Sequence, residues 1–338
     1  MTELVEPSEE RRAAAAALDV LLAAGYRETR LPPWLDYDRV RDGLDRARVD
    51  SCKFVAPDGR VLLLLPDPTL GVLQSLGGTG GQALRVCYWA DVFRVVDGRW
   101  TRGAQVGAEL LGPVGLDVDL EVVDLALAAA AAAGCRQVRL VLNDAGLTEG
   151  LCGMLPPAEA ARARRALEAG DFVEVREAAR SRPEVAEALR YAGPAADVRS
   201  RLKTLPLPAA VEARLAHLEQ VAAAAARRHP AAGVVIDAGM VREIGYYDGL
   251  VFQVIEAGTG RVLAAGGRYD ALAQAADPAC GGGVGFACDA AAPAAAAPGG
   301  GGGGRGGGPW PAAGRRECGP RGGRPPRARR CGWGRGGG

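Results

Sequence analysis

The sequence predicts an α+β fold: one antiparallel sheet flanked by helices, with a helical insertion between two strand-rich halves. Three observations carry this. Short β-rich runs, "VLLLLP" (61–66), "LRVCYWADVFRVV" (84–96) and "QVGAELLG" (105–112), come first. An Ala/Arg/Glu-rich stretch then separates them from "GVVID" (233–237), "LVFQVIE" (250–256), "RVLAAG" (261–266) and "GGVGFAC" (282–288). Turn signals, not strand–helix–strand units, join most of these runs, which favours antiparallel pairing.

Each element has a local reason. Ser8 followed by Glu9 and Glu10 opens a helix through about Ala24, with acids in its positive first turn and Gly25 stopping it. "DGRW" (97–100) is a turn signal, so 84–96 and 105–112 pair as a hairpin. Asp117 or Asp119 could cap a helix running to Ala133, and "QVRLVLND" (137–144) is the next strand. Residues 155–229 form the insertion, with Val211, Leu215, Leu218 and Val221 at helical spacing.

Composition narrows the function. Residues 1–290 carry 32 basic and 39 acidic side chains, a net of −7, so charge points away from nucleic acid. Residues 291–338 hold 18 glycines, seven prolines, nine arginines and one acid, with no Ile, Leu, Val, Met or Phe. Nothing there can bury a core, so a disordered Gly/Arg/Pro-rich tail is expected beyond a 1–290 domain, and no function is assigned to it. The charged start, "MTELVEPSEERR", lacks the apolar core of a secretory signal, and the longest apolar run (125–133) is too short for a bilayer. Eight cysteines form no CxxC pair and His217 and His229 are the only histidines, so no metal site is expected. The cysteines read as reduced, buried thiols of a cytoplasmic protein.

Four fragments carry candidate chemistry. "PDPT" (66–69) places Asp67 after a strand, and Gln105 and Glu109 stand at i and i+4 on one sheet face. "REIGYYDG" (242–249) supplies Arg242, Tyr246 and Tyr247, and "GGRYDAL" (266–272) brings Gly266 and Gly267 beside Arg268 and Tyr269. Carboxylates on an inward face suit an ammonium group; an amide and tyrosine hydroxyls suit a ring or carbonyl. Buried charges without partners are costly, so such a face is a ligand pocket for a polar amino acid.

Here the chain resembles the histidyl-tRNA synthetase family of class II aminoacyl-tRNA synthetases. "GYRETRLPPWLD" (25–36), with Pro32, is similar to the first class motif, "VFRVVDGRWTRGAQVGAELLG" (92–112) to the second, and "GGGVGFACD" (281–289) to the start of the third. "REIGYYDG" and "GGRYD" resemble the two histidine-specific motifs. The resemblance implies a class II synthetase-like sheet and a histidine site of Asp67, Thr69, Gln105, Glu109, Arg242, Tyr246 and Tyr247. Arg94, Gly266, Gly267, Arg268 and Tyr269 would surround it.

Departures from the synthetase pattern bear on activity. Arg94 stands at the ATP-binding arginine of the second motif, but Val96 replaces the glutamate after it, and Thr101 and Gly103 stand where an arginine–aromatic pair is expected. Leu65 replaces the arginine before "PD", and the third motif's arginine falls near Ala292. No anticodon-binding domain is expected after 290. Adenylation needs groups that stabilise charge developing on the transferring phosphate, and these are largely missing. The combination resembles the synthetase-like regulatory branch associated with short-form ATP phosphoribosyltransferase. That likeness implies a non-catalytic regulatory subunit in the first step of histidine biosynthesis, with L-histidine as effector. Its partners would be the short-form catalytic subunit and a second copy of itself, with no cofactor, no membrane and no tRNA. The alternative is a truncated or degenerate histidyl-tRNA synthetase.

Overall fold

The computed structural model describes residues 8–76, 80–96, 98–135, 137–241 and 244–289. The expectations for Arg242 and for the 291–338 segment lie outside the described residues.

Helix α1 (Glu9–Ala23) begins at Ser8, whose hydroxyl accepts a hydrogen bond from Arg11 N at 3.1 Å. Strand β1 (Arg27–Glu28) follows, then β2 (Trp34–Asp36), α2 (Tyr37–Ala47), β3 (Lys53–Val55) and β4 (Val61–Leu64). Strands β2, β4 and β3 form a small antiparallel sheet in that order. Helix α3 (Pro68–Leu76) leads to the hairpin of β5 (Leu84–Val96) and β6 (Arg99–Leu111), in register from Leu84↔Leu111 to Val96↔Arg99. Gly98, at φ 71°, supplies the left-handed residue that this tight turn requires.

Helix α4 (Leu116–Ala132) and β7 (Val138–Asp144) precede the insertion, which contains α5 (Ala145–Gly153), α6 (Pro157–Glu168), α7 (Phe172–Ala178), α8 (Pro183–Leu189), the short β8 (Ala192–Pro194), α9 (Val198–Leu202) and α10 (Ala209–Arg228). Strands β9 (Gly233–Asp237), β10 (Leu250–Glu256) and β11 (Val262–Arg268), helix α11 (Asp270–Ala276) and β12 (Gly283–Asp289) complete the described chain. The large sheet has nine strands in the order β1-β5-β6-β12-β11-β10-β7-β9-β8.

The six strands from β5 to β7 in that order are antiparallel throughout. The sheet is thus mostly antiparallel, as expected, with two parallel pairs: β1 joins β5, and β9 joins β7. Both exceptions have long connections, through the small sheet and through the insertion, and only such crossovers allow parallel neighbours. The helix cap is corrected. Gly115 is the N-cap of α4 and neither Asp117 nor Asp119 caps it, because Asp119 turns to Arg268 and His217 instead.

Alternation along β6 separates two cores. Val106, Ala108 and Leu110 pack with α1, α4 and the insertion, while Leu111 joins Leu44, Leu70, Tyr88 and Tyr246 on the opposite face. Gln105, Gly107 and Glu109 share that second face, and β6 is buried on both sides. The six described cysteines are free and buried. No helix among the described residues is long and apolar enough to cross a membrane.

Candidate functional site

The second face of the sheet gathers the candidate residues from four places. β6 contributes Gln105 and Glu109; the start of α3 contributes Thr69, with Asp67 just before it. Asp67 caps that helix, its Oδ1 accepting from Leu70 N at 3.1 Å. Tyr246 and Tyr247 lie in the loop feeding β10, not within a strand, and Tyr269 follows β11 directly.

Their contacts form two layers. In the deeper one, Thr69 Oγ1 donates to Glu109 Oε1 at 2.8 Å and the Tyr269 hydroxyl donates to Oε2. The Tyr88 hydroxyl lies near this carboxyl and opposes the rise that burial imposes on it. Both Glu109 oxygens are thus engaged by the protein. In the upper layer, the Tyr246 hydroxyl lies 3.2 and 3.4 Å from the two Asp67 oxygens. Tyr246 packs against Tyr247 and Tyr269, with ring centroids 4.9 and 5.8 Å away. Close approach needs glycine here. A Cβ on Gly285 would overlap the Glu109 carboxylate, and one on Gly267 would meet the Tyr247 ring at 2.9 Å.

A small cavity lies between these layers, lined by Asp67, Thr69, Tyr88, Arg94, Gln105, Tyr246 and Tyr247, with Ile244 and the backbone of β12. Its volume is about 10 Å³, space for about one water molecule. Gln105 is only 1% exposed, and neither its Nε2 nor its Oε1 has a hydrogen-bond partner. A buried amide that satisfies nothing costs free energy and is rare, so it marks a place where a donor and an acceptor are to be supplied.

Charge sharpens the picture. Burial pushes the Glu109 carboxyl up to about 8, and the nearby Asp67 charge adds to the rise. Burial also raises Asp67, against the pull of the Arg94 guanidinium. Arg94 is the single cationic side chain among the described residues lining the cavity, and its Nε donates to Pro66 O at 3.1 Å. Asp67 is the carboxyl that lines the cavity, so it is the group that a ligand's positive charge would meet.

The structure therefore brings together Asp67, Thr69, Gln105, Glu109, Tyr246, Tyr247, Tyr269, Gly267 and Arg94. Glu109 holds the floor together and does not line the cavity. Gly266 and Arg268 fall on the other side of the sheet by strand alternation. Gly266 packs on the Gly285 carbonyl and Phe286, while Arg268 pairs with Asp119 and Asp270. Tyr88 is the wall residue that motif reading missed. Pairing β5 and β6 across the 97–98 turn places it opposite Gly107, between Gln105 and Glu109, so the hairpin register held the signal.

With this geometry in place, comparison with known proteins identifies the scaffold. The family model for histidyl-tRNA synthetase matches residues 3–292. The chain belongs to that family. Within the histidyl-tRNA synthetase family, it is 32% identical over 284 residues to the ATP phosphoribosyltransferase regulatory subunit of Symbiobacterium thermophilum, covering 79% of this chain and 71% of the relative. Among solved structures, an ATP phosphoribosyltransferase regulatory subunit/histidyl-tRNA synthetase from Bacillus halodurans superposes with a TM-score of 0.78 at 21% identity, over 87% of this chain and 80% of that one. A chain of the ATP phosphoribosyl transferase complex from Thermotoga maritima superposes with a TM-score of 0.66 at 18% identity, over 85% and 98%. These likenesses show that the antiparallel sheet with flanking helices is the histidyl-tRNA synthetase fold.

Proposed function

We propose that this chain is a non-catalytic regulatory subunit of ATP phosphoribosyltransferase that binds L-histidine as a feedback effector. The carrying observation is the Gln105 amide, buried without partners in a cavity walled by Asp67, Thr69 and three tyrosines. An amino acid supplies what this site lacks: an ammonium group toward Asp67, and donors and acceptors for the amide. The imidazole gives the tyrosine-lined wall a flat ring with N–H and N groups. The names of its relatives support the regulatory-subunit part of this reading.

No adenylation or aminoacylation is expected. Leu65 and Val96, with Thr101 and Gly103 in place of an arginine–aromatic pair, leave few groups that would steady a transferring phosphate. The functional unit is residues 1–290, cytoplasmic, self-associating and assembled with a short-form catalytic subunit. For inhibition, histidine must bind two states of that assembly with different affinity, and a coupling of about 1–3 kcal/mol suffices. Mixing the purified chain with a short-form catalytic subunit tests this. Activity that requires this chain and falls when L-histidine is added supports it. Histidine-dependent ATP–pyrophosphate exchange by the chain alone would refute it.

A further inference from the structure

The loop carrying Tyr246 and Tyr247 is pinned at both ends by the helical insertion and its neighbouring strand. At the entry, Asn143 Nδ2 donates to Met240 O at 2.9 Å, and Thr148 Oγ1, on α5, donates to Ala238 O at 2.9 Å. At the exit, Asp248 N donates to Arg268 O, and the Asp248 carboxylate accepts from Asp270 N and Ala271 N. One long side chain reaches this exit from the insertion. Arg214, on α10, donates from Nη1 to Asp248 O at 2.9 Å, and the same atom lies 3.4 Å from Asp144 Oδ2.

The reach of Arg214 depends on how closely α10 sits on α5. A Cβ on Gly150 would overlap the Val211 side chain, and one on Gly146 would meet the Arg214 guanidinium at 3.0 Å. Two small residues one turn apart thus seat α10 where its arginine can span to the loop. Arg214 is not part of the cavity wall. It lines a separate open cleft of about 460 Å³, and its side chain is 45% exposed.

We propose that Arg214 is a positioning residue for the ligand loop: with the backbone bond from Ala145 N to Gly249 O at 2.9 Å, its side-chain hydrogen bond lets the insertion hold the exit of the Tyr246–Tyr247 segment in its binding-competent place. This rests on the histidine reading above. The physical case is preorganisation. The cavity has space for about one water, so an amino acid enters only as the tyrosines give way between fixed ends. Loosening one of the bonds at the exit adds disorder to the unliganded loop that must be lost again on binding.

Calorimetry with L-histidine and amide exchange on the full chain test it together, using Arg214→Ala, Arg214→Lys and, as a control far along the same helix, Arg228→Ala. Arg214→Ala should weaken histidine about three- to tenfold, a shift of one partly exposed hydrogen bond's size. It should also speed exchange of amides in 244–250 with little change in melting temperature. Arg214→Lys, which keeps a charged donor, should recover part of the loss, and Arg228→Ala should behave as wild type. Unchanged or tighter binding in Arg214→Ala, or an equal loss in Arg228→Ala, overturns the proposal. If wild type binds no histidine, the functional reading fails by itself. Exchange then decides alone: faster exchange in Arg214→Ala sustains the positioning role, and unchanged exchange ends it.

Discussion

On one face of the large sheet Asp119 divides its oxygens between Arg268 at 2.7 Å and His217 at 2.7 Å, while on the other face Asp67 and Glu109 each accept from their own hydroxyl donors beside an amide without a partner. Both clusters are buried and carboxylate-centred. The first is closed: Arg268 also reaches Asp270, whose Oδ1 accepts from Gly283 N. Its charges are matched among themselves, and it ties α4, β11 and α10 together. The second is open in the hydrogen-bonding sense, although its cavity is far smaller than the cleft beside the first. Cavity size and unmet hydrogen bonding thus point to different places. An unsatisfied buried polar group is the better sign of a ligand.

The comparison breaks if the two clusters respond alike to mutation. The largest effect is expected at Asp119. Asp119→Ala takes from the buried Arg268 guanidinium the fully buried one of its two carboxylate partners and leaves Asp270; removing one partner of a buried pair costs about 3–5 kcal/mol. Urea unfolding should show that loss, and a loss under about 1 kcal/mol would mean the closed cluster does not hold the elements together. Next is Asp67→Asn, which keeps volume and takes away the charge facing the cavity. Histidine affinity should fall by about ten- to a hundredfold while stability changes little, since a hydrogen bond to a charged group contributes about 1.5–3 kcal/mol.

Glu109 sharpens the comparison through pH. Its carboxyl ionises near 4.5 ordinarily and near about 8 here. Between those values the folded chain holds a proton that the unfolded chain has released. This contribution is therefore full below about 4.5 and declines as pH rises toward 8. Glu109→Gln should flatten that part of the stability–pH curve relative to wild type, and parallel curves would show that the carboxyl is ionised in the fold. His217 gives the smallest effect. Its imidazole is raised by the hydrogen bond to Asp119, so its contribution is present in acid and fades as pH rises through the raised value. His217→Ala should cost about 1 kcal/mol near pH 6 and less by pH 9. A cost that grows with pH would reverse the assignment.

Much of this was legible in the sequence for identifiable reasons. β5, β9 and β10 run over the residues that β-rich composition marked, and Ser8 caps α1 as its neighbours implied. The i, i+4 spacing of Gln105 and Glu109 put both on one face, since strand periodicity is local. Less local facts were hidden. The partner of β7 lies beyond the whole insertion, so its parallel pairing with β9 could not be read from adjacent turns. Arg268 sits one residue from Tyr269 on the same motif, yet the pleat sends it to Asp119 while Tyr269 goes to Glu109. That Glu109 is consumed by protein donors while Gln105 is left without any depends on which side chains converge. Spacing carries no such information.

Titration calorimetry of the full chain with L-histidine, wild type beside Gln105→Ala, addresses the central claim most directly. Wild type should bind with saturable heat at one site per chain, and Gln105→Ala should bind about tenfold or more weakly, because the ligand then loses the donor and the acceptor of the amide. Folded wild type that gives no heat with L-histidine, or Gln105→Ala that binds it as tightly as wild type, would contradict the account.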